Sequence, residues 1–187
     1  MADPLRILFL SAEVAPFAKT GGLGDIGGSL PKALHDMGHD VRVVMPAYRK
    51  IEEGYPGVTG MPLQLNVPTG SGVINAGAFE GRLPGSDVPV YFIAEYGLFA
   101  RPNIYGYWDD PYRFAFFSKA ALHLTLQLDW RPGVVHAHHR HNTPAPARAP
   151  TPGPAARRVP RIATGSPPTP PAPPRPTNPA RLRRTQI

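Results

Sequence analysis

Hydrophobic positions along the chain follow two rhythms. Leu5 to Leu10 is a short apolar run, the pattern of a strand buried on both faces. A polar and Gly-rich stretch follows, and then Ile26, Leu30, Ala33, Leu34 and Met37 recur at three- and four-residue spacing. That period predicts a helix with one apolar stripe, ended by Gly38 at the C′ position. Pro31 falls inside it. Either the helix kinks there, or Ser29 is the N-cap and Pro31 lies in the first turn. Val41 to Met45 reads as a second strand, stopped by Pro46. Two apolar strands joined through a helix imply a parallel pair with a right-handed crossover.

Residues 47–90 are rich in Gly and Pro, with weak strand signals near Leu63–Val67 and Val73–Phe79. Val88 to Ala94 is a clearer strand. From Asp110 to Leu128 the spacing predicts a second helix, with Phe114, Phe117, Ala121, Leu124 and Leu128 facing inward. Gly133 to His138 is a last short strand. Alternating strands and helices predict an α/β fold with a parallel sheet, whose ligands bind beyond the carboxyl ends of the strands.

Charge changes this picture only at one end. The formal net charge of +7 over 187 residues suggests a nucleic-acid partner until the charges are located. Met1 to His139 holds 11 Lys+Arg and 13 Asp+Glu, whereas Arg140 to Ile187 holds nine Arg and no acid. Fourteen of the 26 prolines lie in those last 48 residues, and no Tyr, Phe or Trp follows Trp130. A segment so composed lacks the apolar mass for a core. Cysteine is absent, so disulfides and thiolate metal sites are excluded. No apolar run is long enough for a signal peptide or a membrane span. The expectation is a soluble cytoplasmic domain with a disordered basic tail.

The strongest chemical signal is Lys19-Thr20-Gly21-Gly22-Leu23-Gly24-Asp25. Paired glycines let a ligand approach the backbone, a helix N-terminus just beyond favours anions, and a lysine adds a full positive charge for a diphosphate. The alternative is a loop that merely turns the chain. Walker A is set aside because Lys-Thr comes first here rather than last. The dinucleotide fingerprint is set aside because Met45-Pro46 stands where an acid is needed after the second strand. His136, His138, His139 and His141 are spaced closely enough to hold zinc, but no companion ligand cluster accompanies them in the sequence, so no metal site is assigned.

Ser11-Ala12-Glu13, the Lys19–Asp25 loop, the Leu30-Pro31-x-Ala33-Leu34 helix and Gly38-His39 closely resemble bacterial glycogen synthases and plant starch synthases. Asp109 with Arg113-Phe114 resembles the family's Asp-Asn-x-x-Arg-Phe segment, with Asp110 in place of Asn. Val134-Val135-His136-Ala137-His138 resembles its Val-Val-His-Ala-His strand, although His139-Arg140-His141 stands where Asp-Trp-His is usual. The resemblance runs from about Leu5 to Thr143. It implies the N-terminal, Rossmann-like half of a two-domain GT-B glycosyltransferase that transfers glucose from ADP-glucose (UDP-glucose in some members) to the non-reducing end of an α-1,4-glucan, with retention.

By that resemblance, Lys19, Gly21 and Gly22 contact the sugar nucleotide and Asp25 faces the cleft. Asp109 is the acid near the reacting sugar, and His141 contacts the donor glucose. No metal or cofactor is implied beyond the donor substrate, and neither membrane nor nucleic acid is an expected partner. The family's second domain would follow residue 143, but 144–187 is largely Pro, Ala, Arg and Thr. Such composition is what a shifted reading frame in GC-rich DNA produces, so frameshift or truncation is the expectation and the chain alone is expected to be inactive. The alternatives are an evolved Arg/Pro-rich segment and, for function, a non-catalytic glucan-binding module with a polyanion-binding tail.

Overall fold

A computed structural model describes residues 3–138 and the strand at 161–164. Its centre is β1 (Arg6–Leu10), whose Ile7, Leu8, Phe9 and Leu10 are all buried. Parallel neighbours flank it: β2 (Asp40–Pro46) on one side and β7 (Val134–Ala137) on the other, with Ile7 in register with both Val41 and Val134. Beyond β2 lies β6 (Pro89–Ala94), also parallel. The long β5 (Gly72–Arg82) then pairs antiparallel with β6, while its first half forms a hairpin with β4 (Leu65–Thr69) and its second half takes β3 (Thr59–Gly60). The sheet order is β3-β5-β6-β2-β1-β7-β8.

Strand β8 (Arg161–Thr164) pairs parallel with β7. It falls within the segment read from composition as an unstructured tail. The free edge of β7 offers backbone partners to a strand whatever its side chains. The rest of that segment lies outside the described residues.

Helix α1 (Gly22–Asp36) connects β1 to β2, as the right-handed crossover requires. Its end is a Schellman motif: Gly38, at φ +90°, donates to the His35 carbonyl, and His39 donates to that of Leu34. Of the two readings of Pro31, the one with Ser29 as N-cap fails, and Pro31 lies inside the helix. The helix is continuous from Gly22, with Gly21 as N-cap, and Ser29 lies inside it, donating its hydroxyl to the Asp25 carbonyl at 2.8 Å.

The buried face of α1 differs too. Gly24, Gly27 and Pro31 are buried, whereas Ile26 and Met37 are 45% and 72% exposed. Close approach decides the matter. A Cβ at Gly27 would lie 2.4 Å from the Glu13 carbonyl oxygen, and one at Gly28 would lie 2.7 Å from that of Ala15. The helix therefore turns its glycines to the chain leaving β1, with Leu30 and Leu34 reaching the core beside them.

Short helices α2 (Arg49–Glu52) and α3 (Tyr96–Phe99) follow β2 and β6. Helix α4 (Asp110–Gln127) lies against β4, β2 and β6 and leads into β7. Phe114, Phe117, Ala121 and Leu124 face inward as their spacing predicts. Phe116, Ala120 and Leu122 are buried as well, so α4 is a core helix rather than a one-faced surface helix. Burying each such aromatic side chain stabilises the domain by roughly 1.5–3 kcal/mol. Because β1, β2, β6 and β7 run parallel, their carboxyl ends share one edge. The segments 11–21, 47–48 and 95–109 all leave from it.

Candidate active site

The chain leaving β1 is organised around one carboxylate. Ser11 is buried, and its hydroxyl donates to the Glu13 carbonyl at 2.6 Å, which fixes the turn. The Glu13 side chain, 3% exposed, then accepts from the Thr20 amide at 2.5 Å, the Thr20 hydroxyl at 2.9 Å and the Gly21 amide at 3.4 Å. The Ala15 amide donates to the Gly24 carbonyl at 2.9 Å, tying the same segment to the first turn of α1. Lys19 stands on this frame with its ammonium 2.7 Å from Asp25 Oδ1, both side chains about half exposed.

The glycines here are of two kinds. Gly24, Gly27 and Gly28 are demanded by packing, with Cβ positions 2.9, 2.4 and 2.7 Å from neighbouring atoms. A Cβ on Gly21 or Gly22 would meet nothing within 4 Å, and neither residue has a positive φ. Neither crowding nor backbone conformation within the protein explains glycine at 21 and 22. A ligand approaching the N-terminus of α1 would.

Asp109 lies at the N-terminus of α4, across the edge. Both its oxygens are taken by the Arg101 guanidinium at 2.7 Å, a bidentate fork with side chains 22% and 11% exposed. Arg101 is fixed in turn by donation to the Gly97 carbonyl at 2.9 Å and by the Tyr107 ring, 4.9 Å away. The fork holds the Asp109 carboxyl below the usual carboxylate range. At neutral pH Asp109 is ionised, with no proton to give.

Asp110, where the family pattern has Asn, has structural work. Its Oδ2 accepts from the Gly106 amide at 2.8 Å and the Tyr107 amide at 3.3 Å, while Oδ1 takes Arg113 Nη1 at 2.8 Å. Arg113 is fully buried, with Phe99, Tyr107 and Phe114 rings 5.1–5.7 Å from its guanidinium carbon. A carboxylate neutralises that buried cation, which a neutral amide would leave unbalanced.

The two loops meet. Tyr105, four residues before Asp109, donates its hydroxyl to Glu13 Oε1 at 2.8 Å. Tyr48 donates to the Ala12 carbonyl at 2.9 Å. Burial, before any neighbouring charge, pushes both phenols above the ordinary tyrosine range, so they remain donors. At the end of β7, the His136 ring stacks on Phe9 at 4.8 Å and its Nε2 lies 3.5 Å from His138 Nδ1. Burial lowers the pKa of both imidazoles. His139 and His141 lie outside the described residues.

Lys19 and Gly21 thus lie on the β1–α1 loop and Gly22 and Asp25 in the first turn of α1, and Asp109 shares the sheet edge through the Glu13–Tyr105 contact. Sequence reasoning assigned no role to Glu13, Arg101 or Tyr105. The signal for Glu13 was an acid three residues past the end of a buried strand; Arg101 and Tyr105 carried none. A cavity of about 750 Å³ lined by Phe17, Asp40, Arg42, Tyr55, Glu80 and Tyr91 lies toward the amino ends of β2 and β6, and contains no candidate residue. Among the described residues no helix is long and apolar enough to cross a membrane.

A profile of the starch synthase catalytic domain matches residues 6–162. Glycogen synthase 1 of Geobacter metallireducens is 46% identical over 148 residues, covering 76% of this chain and 30% of that protein. The glycogen synthase of Moorella thermoacetica is 45% identical over 148 residues, covering 78% and 29%. The catalytic domain of starch synthase IV from Arabidopsis thaliana, solved bound to ADP and acarbose, superposes with a TM-score of 0.72 at 29% identity, covering 87% of this chain and 34% of that one. The chain therefore spans about 30% of the length of the glycogen synthases it matches. It belongs to the starch synthase catalytic domain family.

Proposed function

We propose that this chain forms the N-terminal wall of a cytoplasmic, retaining glucosyltransferase that uses ADP-glucose to extend an α-1,4-glucan. The observation that carries this reading is the pair Gly21 and Gly22, open to solvent at the N-terminus of α1 beside the Lys19 ammonium. In transfer, the bond between glucose C1 and the diphosphate breaks, a bond from the acceptor 4-hydroxyl to C1 forms, and ADP and a proton are released. Negative charge grows on the diphosphate. Backbone N–H groups at a helix start and a nearby ammonium stabilise it where it develops. Lys19 exchanges its exposed partner Asp25 for the diphosphate. Ionised Asp109 faces the reacting sugar, and His141 contacts the donor glucose. The reading calls for no metal and no resident cofactor. Support comes also from the Arabidopsis neighbour, which was solved with ADP and a sugar analogue bound.

The test is radiolabelled glucose transfer from ADP-glucose to glycogen, by this chain alone and by its domain joined to the remaining two thirds of a matched synthase. Transfer is expected only from the joined protein. Charge-assisted hydrogen bonds contribute about 1.5–3 kcal/mol, so Lys19→Ala is expected to lower donor use roughly 10- to 100-fold there. Robust transfer by the 187-residue chain alone, or a joined enzyme indifferent to Lys19→Ala, overturns the reading. Co-sedimentation of the chain with glycogen but no transfer by the joined protein would favour a binding module instead.

A further inference from the structure

Glu13 is buried, yet among the described residues no lysine, arginine or histidine pairs with it. Neutral donors hold it instead, and they come from two places. Oε2 takes the Thr20 and Gly21 amides; Oε1 takes the Thr20 hydroxyl and, 92 residues away in sequence, the Tyr105 hydroxyl. Thr20 and Gly21 lie between Lys19 and the start of α1. Tyr105 belongs to the turn that ends in Asp109.

That turn is stiff around Tyr105. The carbonyl of Ile104 accepts from Arg113 at 3.2 Å, the amides of Gly106 and Tyr107 donate to Asp110, and the Tyr105 ring lies 5.7 Å from that of Phe114. On the other side, the Glu13 backbone is pressed against α1 at Gly27. A carboxylate fixed at both ends transmits displacement rather than absorbing it.

We infer that Glu13 is a positioning residue that couples the Lys19–Gly22 loop to the Asp109 turn, so that a nucleoside diphosphate on the first loop orders the second. Ordering by a nucleoside diphosphate rests on the function proposed above; the coupling itself does not. Buried networks of this kind raise the free energy of local opening at every member, and by linkage the effect is reciprocal.

Amide hydrogen exchange on the full 187-residue chain tests it. Tyr105→Phe removes one hydroxyl and keeps the ring against Phe114. Losing one hydrogen bond to a charged group should speed exchange of the Thr20 and Gly21 amides by roughly tenfold, with β2 amides unchanged. Glu13→Gln should speed the Gly106 and Tyr107 amides in return. Added ADP should slow exchange across 104–107 in the parent chain and not in Tyr105→Phe, a response that loss of packing alone would not abolish. Parent-like rates at Thr20 and Gly21 in Tyr105→Phe overturn the coupling, as does a uniform rise that includes β1 and β2. Were ADP to protect nothing in the parent chain while the reciprocal effects of the two variants held, the ordering by a nucleoside diphosphate would be overturned and the coupling would stand, whatever transfer the joined protein shows.

Discussion

Replacing Gly27 by alanine tests whether close backbone approach seats α1. The new Cβ would lie 2.4 Å from the Glu13 carbonyl oxygen and 3.3 Å from Val14 Cα. The first contact is about 0.9 Å closer than the 3.3 Å at which carbon and carbonyl oxygen ordinarily meet. Both partners are backbone, so no rotamer change relieves the clash. Overpacking of this kind costs about 1–3 kcal/mol, against which alanine regains about 1 kcal/mol of helix propensity. The clash wins. At 2.4 Å from backbone the cost sits in the upper part of that range, about 2–3 kcal/mol, so the net loss is about 1–2 kcal/mol, or a Tm lower by roughly 3–8 °C. Gly22→Ala has no clash to offset, so its Tm should hold or rise, by an amount below about 1 kcal/mol in stability.

Urea unfolding followed by tryptophan fluorescence measures both variants. Trp130 is 4% exposed and donates to Asp40 at 2.7 Å, while Trp108 is 95% exposed, so a Trp108→Phe background leaves one buried reporter. The same samples are titrated with ADP. Gly22→Ala should weaken binding while leaving stability intact, because its methyl occupies the space left for the ligand. A Gly27→Ala protein as stable as its parent refutes the packing argument. Gly22→Ala unfolding at lower urea with unchanged ADP affinity refutes the argument for an open ligand site.

Three further outcomes follow from the geometry. Asp25→Asn removes an ion pair that is about half exposed, so stability should change by under about 1 kcal/mol while ADP affinity rises several-fold, read by titration calorimetry. Arg101→Lys breaks the two-point fork on Asp109, which should cost about 1.5–3 kcal/mol in urea unfolding and let the Asp109 carboxyl titrate at higher pH by carbon-detected NMR. Burial lowers the pKa of His136 and His138, so the unfolded chain takes up protons first on acidification. Stability should be full above about pH 6.5 and fall as pH drops through the folded values; a urea midpoint flat from pH 7 to pH 5 contradicts this.

Much of the fold was legible because it is locally written. The Gly38 stop of α1 needs only a glycine after the last helical turn, and α4 needs only its aromatic period. Strands β1, β2 and β6 are largely apolar because both faces are covered, so they stand out without alternation. Elements of two to four residues, β3, α2 and α3, carry too few positions for any period. The face of α1 was misjudged for a different reason. An apolar stripe measures transfer from water, whereas the helix here is seated by how near two backbones can come, and glycine is invisible to hydropathy. Strand β8 had no apolar signal either, and its backbone takes a place set by β7.

The site divides along the same line. Lys19, Gly21, Gly22 and Asp25 lie within seven consecutive residues, so their chemistry could be read as one motif. Asp109 was read through a motif as well, but its pKa is lowered by Arg101, eight residues earlier, and its turn is tied through Tyr105 to Glu13. Those contacts exist only because β1 and β6 place their carboxyl ends on one edge of a parallel sheet. The same topology explains why the Glu13 carboxylate needs no cation. Thr20, Gly21 and Tyr105 bring their donors to it from both flanking loops, and donors fixed by folded backbone stabilise a buried charge without further reorganisation. The neutral cradle keeps the Lys19 ammonium as the nearest full positive charge on the loop, which is what a diphosphate at the start of α1 requires.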